Sequence, residues 1–450
     1  MPKVEIHLEL SVPSDKLDVN QIVALFQEVQ AQIGPALMAC YLEATQDLAL
    51  DQVLGPKWAD VPQGEAPWVC PKCHSRQGFK RRGSRPRVLR KTSLGRVPFK
   101  LRQVTCCHCG DTFSPFSDWL GLAPYQVSTT EFRAQAVKVA CQTSYARSVE
   151  HVHELGHVKV SATAIHHWAQ DQGAQVVFDV EQANGRPVIL DATKVRAGGN
   201  KRGCSLNLGL SIQRRRWING RPDLQVRPVC FGVGESWSQT GQALADADPA
   251  RFVFDGDEDL VTWLKDTFPD ILKQRGIWHL VSQLYWPLWR DGLRKPEAKV
   301  WMGKLGKIIY HPEYTVQRSR EELADLVTQL HREGLSNAAG YLDAAAPYVF
   351  TYREHPDGMF FDDRRLEPCA ISSTSPLERQ MREINRRTDV GARWSVAGVQ
   401  NLIGLDLVRR FDLKQWQALW DLPERGAADF SIVKLQVRAE AEPPPNVKTT

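Results

Sequence analysis

No apolar run in this sequence reaches the roughly 18 residues that a membrane-crossing helix needs. The opening residues, Met1-Pro2-Lys3-Val4-Glu5, lack the apolar core of a secretion signal. Both absences point to the cytoplasm and away from a membrane partner. A strong charge of one sign is lacking too: 57 Lys and Arg against 52 Asp and Glu leave a net charge of +5. So weak a bias attracts nucleic acid only where it is concentrated. No internal repeat is visible. What is present is enough to fold: 42% hydrophobic and 9% aromatic residues fill real cores and argue against a mostly disordered chain. At 450 residues, two to four domains are expected. In a reducing compartment, ten cysteines argue for metal ligands and buried thiols over disulfides.

Residues 1–66 begin with a loose strand-like alternation (Val4, Ile6, Leu8, Leu10). They continue with helical spacing at Ile22, Leu25, Phe26, Val29 and Ile33, then Leu37, Cys40 and Tyr41. Residues 67–120 hold the cysteine pairs. Cys70-Pro-Lys-Cys73 and Cys106-Cys-His-Cys109 are two C-x2-C knuckles 32 residues apart, and four thiolates presented from two tight turns suit one tetrahedral Zn2+. Cys107 or His108 is an alternative fourth ligand. Phe79, Val88, Leu89, Val97, Phe99, Leu101 and Val104 fit the strands of a zinc ribbon. Its spacer is one-signed: from Ser75 to Val104 there are eleven Lys or Arg and no Asp or Glu. That concentrates a field suited to a phosphate backbone, with Arg81, Arg82, Arg85, Arg87, Arg90 and Lys91 as the expected DNA contacts.

Residues 127–172 read as three short helices. Phe132, Ala136, Val137 and Ala140 mark the first, and Tyr145, Val149, Val152 and Leu155, closed by Gly156, the second. The third runs from Ala162 to Gln170 behind an N-cap at Ser161, with Ile165 and Trp168 facing inward. A short turn between two such helices fits a DNA-binding helix-turn-helix, against the plainer reading of a three-helix packing module. His151, His153, His157, His166 and His167 cluster here and read as solvated or phosphate-contacting side chains.

A strand-rich block occupies residues 186–280. Arg186-Pro-Val-Ile-Leu-Asp191 is an apolar run that places a carboxylate at a strand end. Strand-like runs Leu206–Ile212 and Leu224–Val233 follow, then a helix over Thr240–Ala247 and the run Arg251-Phe-Val-Phe-Asp255-Gly256. A helix over Leu260–Phe268 and a strand at Gly276-Ile-Trp-His279 complete an RNase H-like order, in which the first and fourth strands lie side by side. Neighbouring carboxylates resist ionising together, so Asp191 and Asp255 are expected to share divalent metal. The third acid should come from a later helix. Ser375-Pro-Leu-Glu378 opens one, with Ser375 as N-cap, and Glu378 is read as a metal ligand in preference to the partner in a Ser-x-x-Glu capping box. Arg379, Arg382, Arg386 and Arg387 make that helix basic, and Arg382 and Arg386 are expected DNA contacts. Between Asp255 and Glu378 lie 122 residues, too many for a loop. Residues 281–365 look like a helical insertion, and residues 366–420 return to the catalytic unit. The Pro-rich tail, residues 438–450, reads as disordered.

These motifs resemble the Mutator-like DDE transposases of prokaryotic insertion sequences. The match rests on Asp191, Asp255-Gly256, Gln274-Arg-Gly-Ile-Trp-His279, Ser373-Thr-Ser-Pro-Leu-Glu378 and Asn385-Arg-Arg-Thr388 over residues 186–410. Gly276 stands where the family has Cys, and Ser373-Thr374-Ser375 replaces its Thr-Thr-Asn. The resemblance implies a multidomain α+β protein: a zinc ribbon and helix-turn-helix ahead of an RNase H-like domain with an all-helical insertion. It implies catalysis by Asp191, Asp255 and Glu378 with Mg2+ or Mn2+, and a positioning or packing role for His279. The implied partners are double-stranded DNA, as element ends and as target, and further copies of the chain at the bacterial nucleoid. In relatives of this fold an aromatic of the insertion stacks on a flipped base, and Trp278, Trp286, Trp289 and Trp301 are the residues of that type here. Two rival readings remain: an RNase H-like nuclease without strand transfer, and a zinc-ribbon DNA-binding regulator derived from a transposase.

Overall fold

The computed structural model describes residues 19–55, 64–156, 158–199, 203–219, 221–389 and 394–422. The strand-like stretch within residues 1–18 and the tail at residues 438–450 lie outside the described residues. The fold is mixed α/β.

Helix α1 (Val19–Leu54) leads to a hairpin of β1 (Phe79–Thr92) and β2 (Gly95–Cys106), with β3 (Thr112–Phe113) added to β2 and a short α2 (Phe116–Trp119) beside it. Alternation buries Phe79, Leu89, Val97, Phe99, Leu101 and Val104 on one face, where they pack with Leu50 of α1 and with Phe116. The acids of α1 answer the basic strands. Asp47 pairs with Arg102 at 2.6 Å and Asp51 with Arg81 at 2.5 Å. Helix α1 and the hairpin therefore form one unit, where the sequence suggested a boundary at residue 66.

Helices α3 (Thr130–Ala140), α4 (Tyr145–Gly156) and α5 (Ala162–Gly173) follow. Ser161 caps α5 as expected, accepting from the Ala164 amide, and Thr129 caps α3 by accepting from Phe132. This trio does not stand apart as its own domain. Its apolar residues, Phe132, Val137, Ile165 and Ala169 among them, share one continuous core with the strand and helix residues that follow. Helix α5 lies on a late helix so closely that a Cβ on Gly173 would sit 2.4 Å from the Asn401 carbonyl oxygen.

The central sheet has five strands: β4 (Pro187–Val195), β5 (Cys204–Ile218), β6 (Arg221–Val233), β7 (Arg251–Phe254) and β8 (Leu272–Arg275), in the order β6-β5-β4-β7-β8. β6, β5 and β4 are antiparallel; β4, β7 and β8 run parallel. Pro228, which cannot donate to a ladder, sits on the edge strand β6 beside a register shift. Between β6 and β7 the expected helix over Thr240–Ala247 is instead α6 (Trp237–Thr240) followed by a 3-10 turn over Gln242–Asp246. Helix α7 (Glu258–Thr267) links β7 to β8.

The last strand also differs from expectation. Gly276-Ile-Trp-His279 is not a strand: Gly276 is the N-cap of α8 (Ile277–Gln283), and the strand is the polar stretch before it. Ile277, Leu280, Leu284 and Leu288 recur at helical spacing and are buried. Lys273 and Gln274 tolerate a buried strand because their polar groups are bonded. Lys273 Nζ donates to the carbonyls of Phe268, Pro269 and Ile271. Gln274 donates to Val349 O at 2.9 Å and accepts from the Tyr352 amide at 2.7 Å.

Helices α9 (Tyr285–Arg290), α10 (Lys295–Tyr310), α11 (Val316–Arg332), α12 (Ser336–Ala345) and α13 (Thr351–Glu354), with a small ribbon of β9 (Phe360–Asp362) and β10 (Glu367–Cys369), close a second core that runs from Ile277 to Ala370. The insertion thus begins and ends slightly outside the expected 281–365. Helices α14 (Ser375–Thr388), α15 (Val396–Phe411) and α16 (Leu413–Leu419) return to the sheet. No helix among the described residues is long and apolar enough to cross a membrane.

Candidate functional site

The parallel register of β4 and β7 pairs Leu190 with Phe254, so Asp191 and Asp255 occupy the next positions on adjacent strands. Strands in a sheet lie about 4.8 Å apart, which brings the two carboxylates together at the place where β7 stops. Asp191 is not at a strand end, as the apolar run suggested. β4 continues to Val195, paired with β5, because only the β7 side of its ladder has ended. Asp191 is 5% exposed. Burial and then the charge of Asp255 push its carboxyl up to about 8; Glu378 adds to that push, and the Ala192 amide, donating to Oδ1 at 2.8 Å, opposes it.

Asp255 is followed by Gly256 at φ +87°, and a Cβ there would lie 1.3 Å from Nη1 of Arg275. The left-handed backbone favours glycine, and a side chain there would also have to displace the Arg275 guanidinium.

Glu378 enters from α14 and faces the same region. The capping-box reading of this residue is not realised. Thr374, not Ser375, is the N-cap, and no side-chain cap bond forms. Glu378 Oε1 instead meets His279 Nε2 at 2.9 Å and the Thr374 hydroxyl at 3.4 Å. His279 Nδ1 lies 3.3 Å from Gln283 Nε2, and Gln283 Oε1 accepts from Arg275 Nη2 at 3.1 Å. An amide N–H can only donate, so Nδ1 accepts and the Nε2 proton points at Glu378. A directed chain, Arg275 to Gln283 to His279 to Glu378, thereby ties the turn after the second acid to the third acid. His279 was expected at a strand end; on α8 it instead holds Glu378. Arg275 was read only as part of the Gln274-Arg-Gly-Ile-Trp-His279 motif, with no role of its own, and Gln283 was not singled out from sequence. The i, i+4 spacing of His279 and Gln283 was a usable signal only once that segment is known to be helical.

The three acids offer oxygen donors alone, but among the described residues they do not form a group whose ligand atoms all lie within 4.8 Å of one another. They do not close as tightly as the cysteine group. Among the described residues, Cys70, Cys73, Cys106 and Cys109 form the cluster whose ligand atoms all lie within 4.8 Å of one another. Their sulfurs approach to 3.6 Å (Cys70–Cys109) and 3.5 Å (Cys73–Cys106), near the ~3.8 Å edge of a tetrahedron with ~2.3 Å zinc–sulfur bonds. The two knuckles have the same backbone. The amides of His74 and Gly110 donate to the carbonyls of Cys70 and Cys106, and the Cys70 and Cys106 amides donate to Ser75 and Asp111. His74 and Gly110 both have positive φ. Cys107 and His108 are outside the ligand group.

The expected DNA contacts separate into two sets. Arg81 is paired with Asp51 and donates to the Gly55 carbonyl. Arg87 donates to the carbonyls of Ala123 and Gln126, and Lys91 lies over the Trp168 ring at 5.7 Å. These three serve the fold, because α1 and the segment after the ribbon come back onto the hairpin. Arg82, Arg85 and Arg90 remain exposed, as do Arg379, Arg382 and Arg386 on α14. Arg387 is buried instead: it donates to Ala140 O at 3.0 Å and stacks on Trp394. Asn385 donates to Thr193 at 2.9 Å, fixing α14 against β4. Trp278, Trp286 and Trp289 are 55%, 59% and 58% exposed, whereas Trp301 is half-buried. The chain matches no protein-family model and no curated protein.

Proposed function

We propose that this chain is a DDE-type DNA transposase in which an RNase H-like sheet carries Asp191 and Asp255 and helix α14 supplies Glu378. The observation that carries the reading is the placement of two acids on adjacent parallel strands with a third facing them from α14. Burial first, and then the charges of Asp255 and Glu378, raise the Asp191 carboxyl, and a bound cation would relieve the repulsive part. The strand order β6-β5-β4-β7-β8, and a helical insertion between the second and third acids, fit the same architecture.

In this reading Asp191, Asp255 and Glu378 hold Mg2+ or Mn2+, which supplies a lowered pKa for the attacking oxygen and charge neutralisation at phosphorus. His279 keeps the Glu378 carboxylate oriented, and Arg275 braces the Asp255-Gly256 turn through its contact with Gly256. The exposed arginines of α14 border the cleft and neutralise the strand that is cut. A water oxygen bonds to phosphorus as the P–O3′ bond breaks and leaves a 3′-hydroxyl. That hydroxyl then bonds to phosphorus in a target strand as the target's own 3′-oxygen departs. Arg82, Arg85 and Arg90 on the zinc-held hairpin grip the duplex by its backbone, so binding weakens steeply with salt.

The test is incubation with DNA spanning the ends of the element that encodes the chain, in Mg2+ or Mn2+, comparing wild type with Asp255→Asn. Wild type is expected to yield nicked and joined products, and the variant to lose at least a hundredfold in rate, since removing one group that stabilises transition-state charge costs about 10²–10³. Equal cleavage by both proteins removes Asp255 from the mechanism. Cleavage without joined products makes the chain a nuclease.

A further inference from the structure

Away from the acids, the C-terminal turns of α14 and α15 meet the end of α3 around a small cavity of 160 Å³, lined by Cys141, Glu383, Arg386, Arg387, Asp406, Arg409 and Arg410 among others. Four arginines face two acids. Asp406 serves both Arg409 (2.7 Å) and Arg410 (3.0 Å), and Glu383 serves Arg386 at 2.7 Å. Arg387 is left without a carboxylate in hydrogen-bond contact. It is 5% exposed, its Nε donates to a backbone carbonyl, its guanidinium carbon lies over the rings of Trp394 and Tyr145, and its Nη2 has no hydrogen-bond partner. Arg410 Nη2 is also buried without one. A buried guanidinium with an unmet N–H is costly unless an anion completes it. At about 30 Å³ per water, the cavity has room for about five waters, the scale of one tetrahedral oxyanion and its shell.

We infer that this cavity is a phosphate-binding site that takes a backbone phosphate of DNA, an assignment of source that rests on the function proposed above. Arg386, Arg387 and Arg410 supply the donors, and planar forked guanidinium groups match phosphate oxygens. The placement along α14 suits a strand leaving the acids. Glu378, Arg382 and Arg386 follow at four-residue intervals, about 6 Å of helix each, so the cavity lies about 12 Å from Glu378. That distance is three to four nucleotides at about 3.4 Å of axial rise. The opposing explanation is that these arginines only neutralise helix C-termini, where cations are favoured.

The experiment uses the full chain and two probes, inorganic phosphate and duplex DNA, with wild type, Arg386→Gln and Arg410→Gln. Arg386 is 75% exposed, so its replacement leaves folding intact even if Arg410→Gln lowers stability. Phosphate is expected to raise the thermal midpoint of wild type above that in chloride of equal ionic strength, and both variants are expected to lose most of that rise. In DNA binding followed against salt, each variant is expected to flatten the log–log slope by about one. A phosphate effect lost in the variants with the DNA slope unchanged keeps the oxyanion site but assigns it to a free phosphate group. No phosphate effect in wild type and unchanged slopes in both variants overturn the site. Cleavage of element ends is a separate readout, so the pocket and the transposase reading fail independently.

Discussion

Gly256 shows how a single residue can be fixed twice over. Its φ of +87° costs any other residue about 1–3 kcal/mol, and a methyl group there would overlap the Arg275 guanidinium. Arg275 also begins the hydrogen-bond chain to Glu378, so a disturbance at the second acid reaches the third. Gly256→Ala is therefore expected to lower unfolding free energy by at least that amount in denaturant titration and to abolish DNA cleavage. Gly340, inside α12 with open space around its Cα, is the control. Alanine there should stabilise by about 0.5–1 kcal/mol, the ordinary helix-propensity gain. If Gly256→Ala behaves like Gly340→Ala, the turn is not constrained as described.

At the scale of elements, the hairpin of β1 and β2 is joined to a four-cysteine group that could hold a metal such as zinc. Eleven basic residues within thirty positions repel one another, and the acids of α1 answer only some of them, notably at Arg81 and Arg102. A metal such as zinc held by the four thiolates would offset that repulsion; structural zinc contributes about 10–16 kcal/mol in small zinc-binding peptides. Chelation, or Cys106→Ser, is expected to release one zinc per chain and unfold this unit. The near-ultraviolet signal of Trp68, which packs on Phe79 and Phe116, would disappear while the sheet domain stays folded. Retention of that signal after complete chelation would show that the apolar face suffices. The basic face is also less uniform than its composition: Arg81, Arg87 and Lys91 point back into the protein, so a DNA contact read from charge alone has to be checked against what each strand face meets.

For the whole molecule, the decisive feature is the shared core. Helices α3 to α5 were readable as a DNA-binding helix-turn-helix or as a three-helix packing module, and α5 rests on α15, with Gly173 permitting the approach. Gly173→Ala is expected to lower the thermal midpoint of the whole sheet-containing body by several degrees in one transition. A separate early transition confined to the three helices would instead mark them as an independent domain. Arg387 joins the same two parts from the other side, through Ala140 and Trp394.

Local chemistry was legible in order along the chain: paired thiols, apolar runs ending in Asp, a helix cap at Ser161, and a long gap that had to fold on its own. These signals survive because each depends on neighbours a few residues away. Tertiary structure decided the rest. Strand β8 was misplaced because its buried Gln274 is satisfied by groups as distant as Val349 and Tyr352. The function of Glu378 as cap or as site residue turned on His279, 99 positions earlier in the chain. Which arginines face solvent depends on α1 and the segment after the ribbon folding back onto the hairpin. Sequence alone supplied the donor atoms and the elements that hold them. Their convergence depends on strand register and packing between segments far apart in the chain, and local spacing carries no record of that.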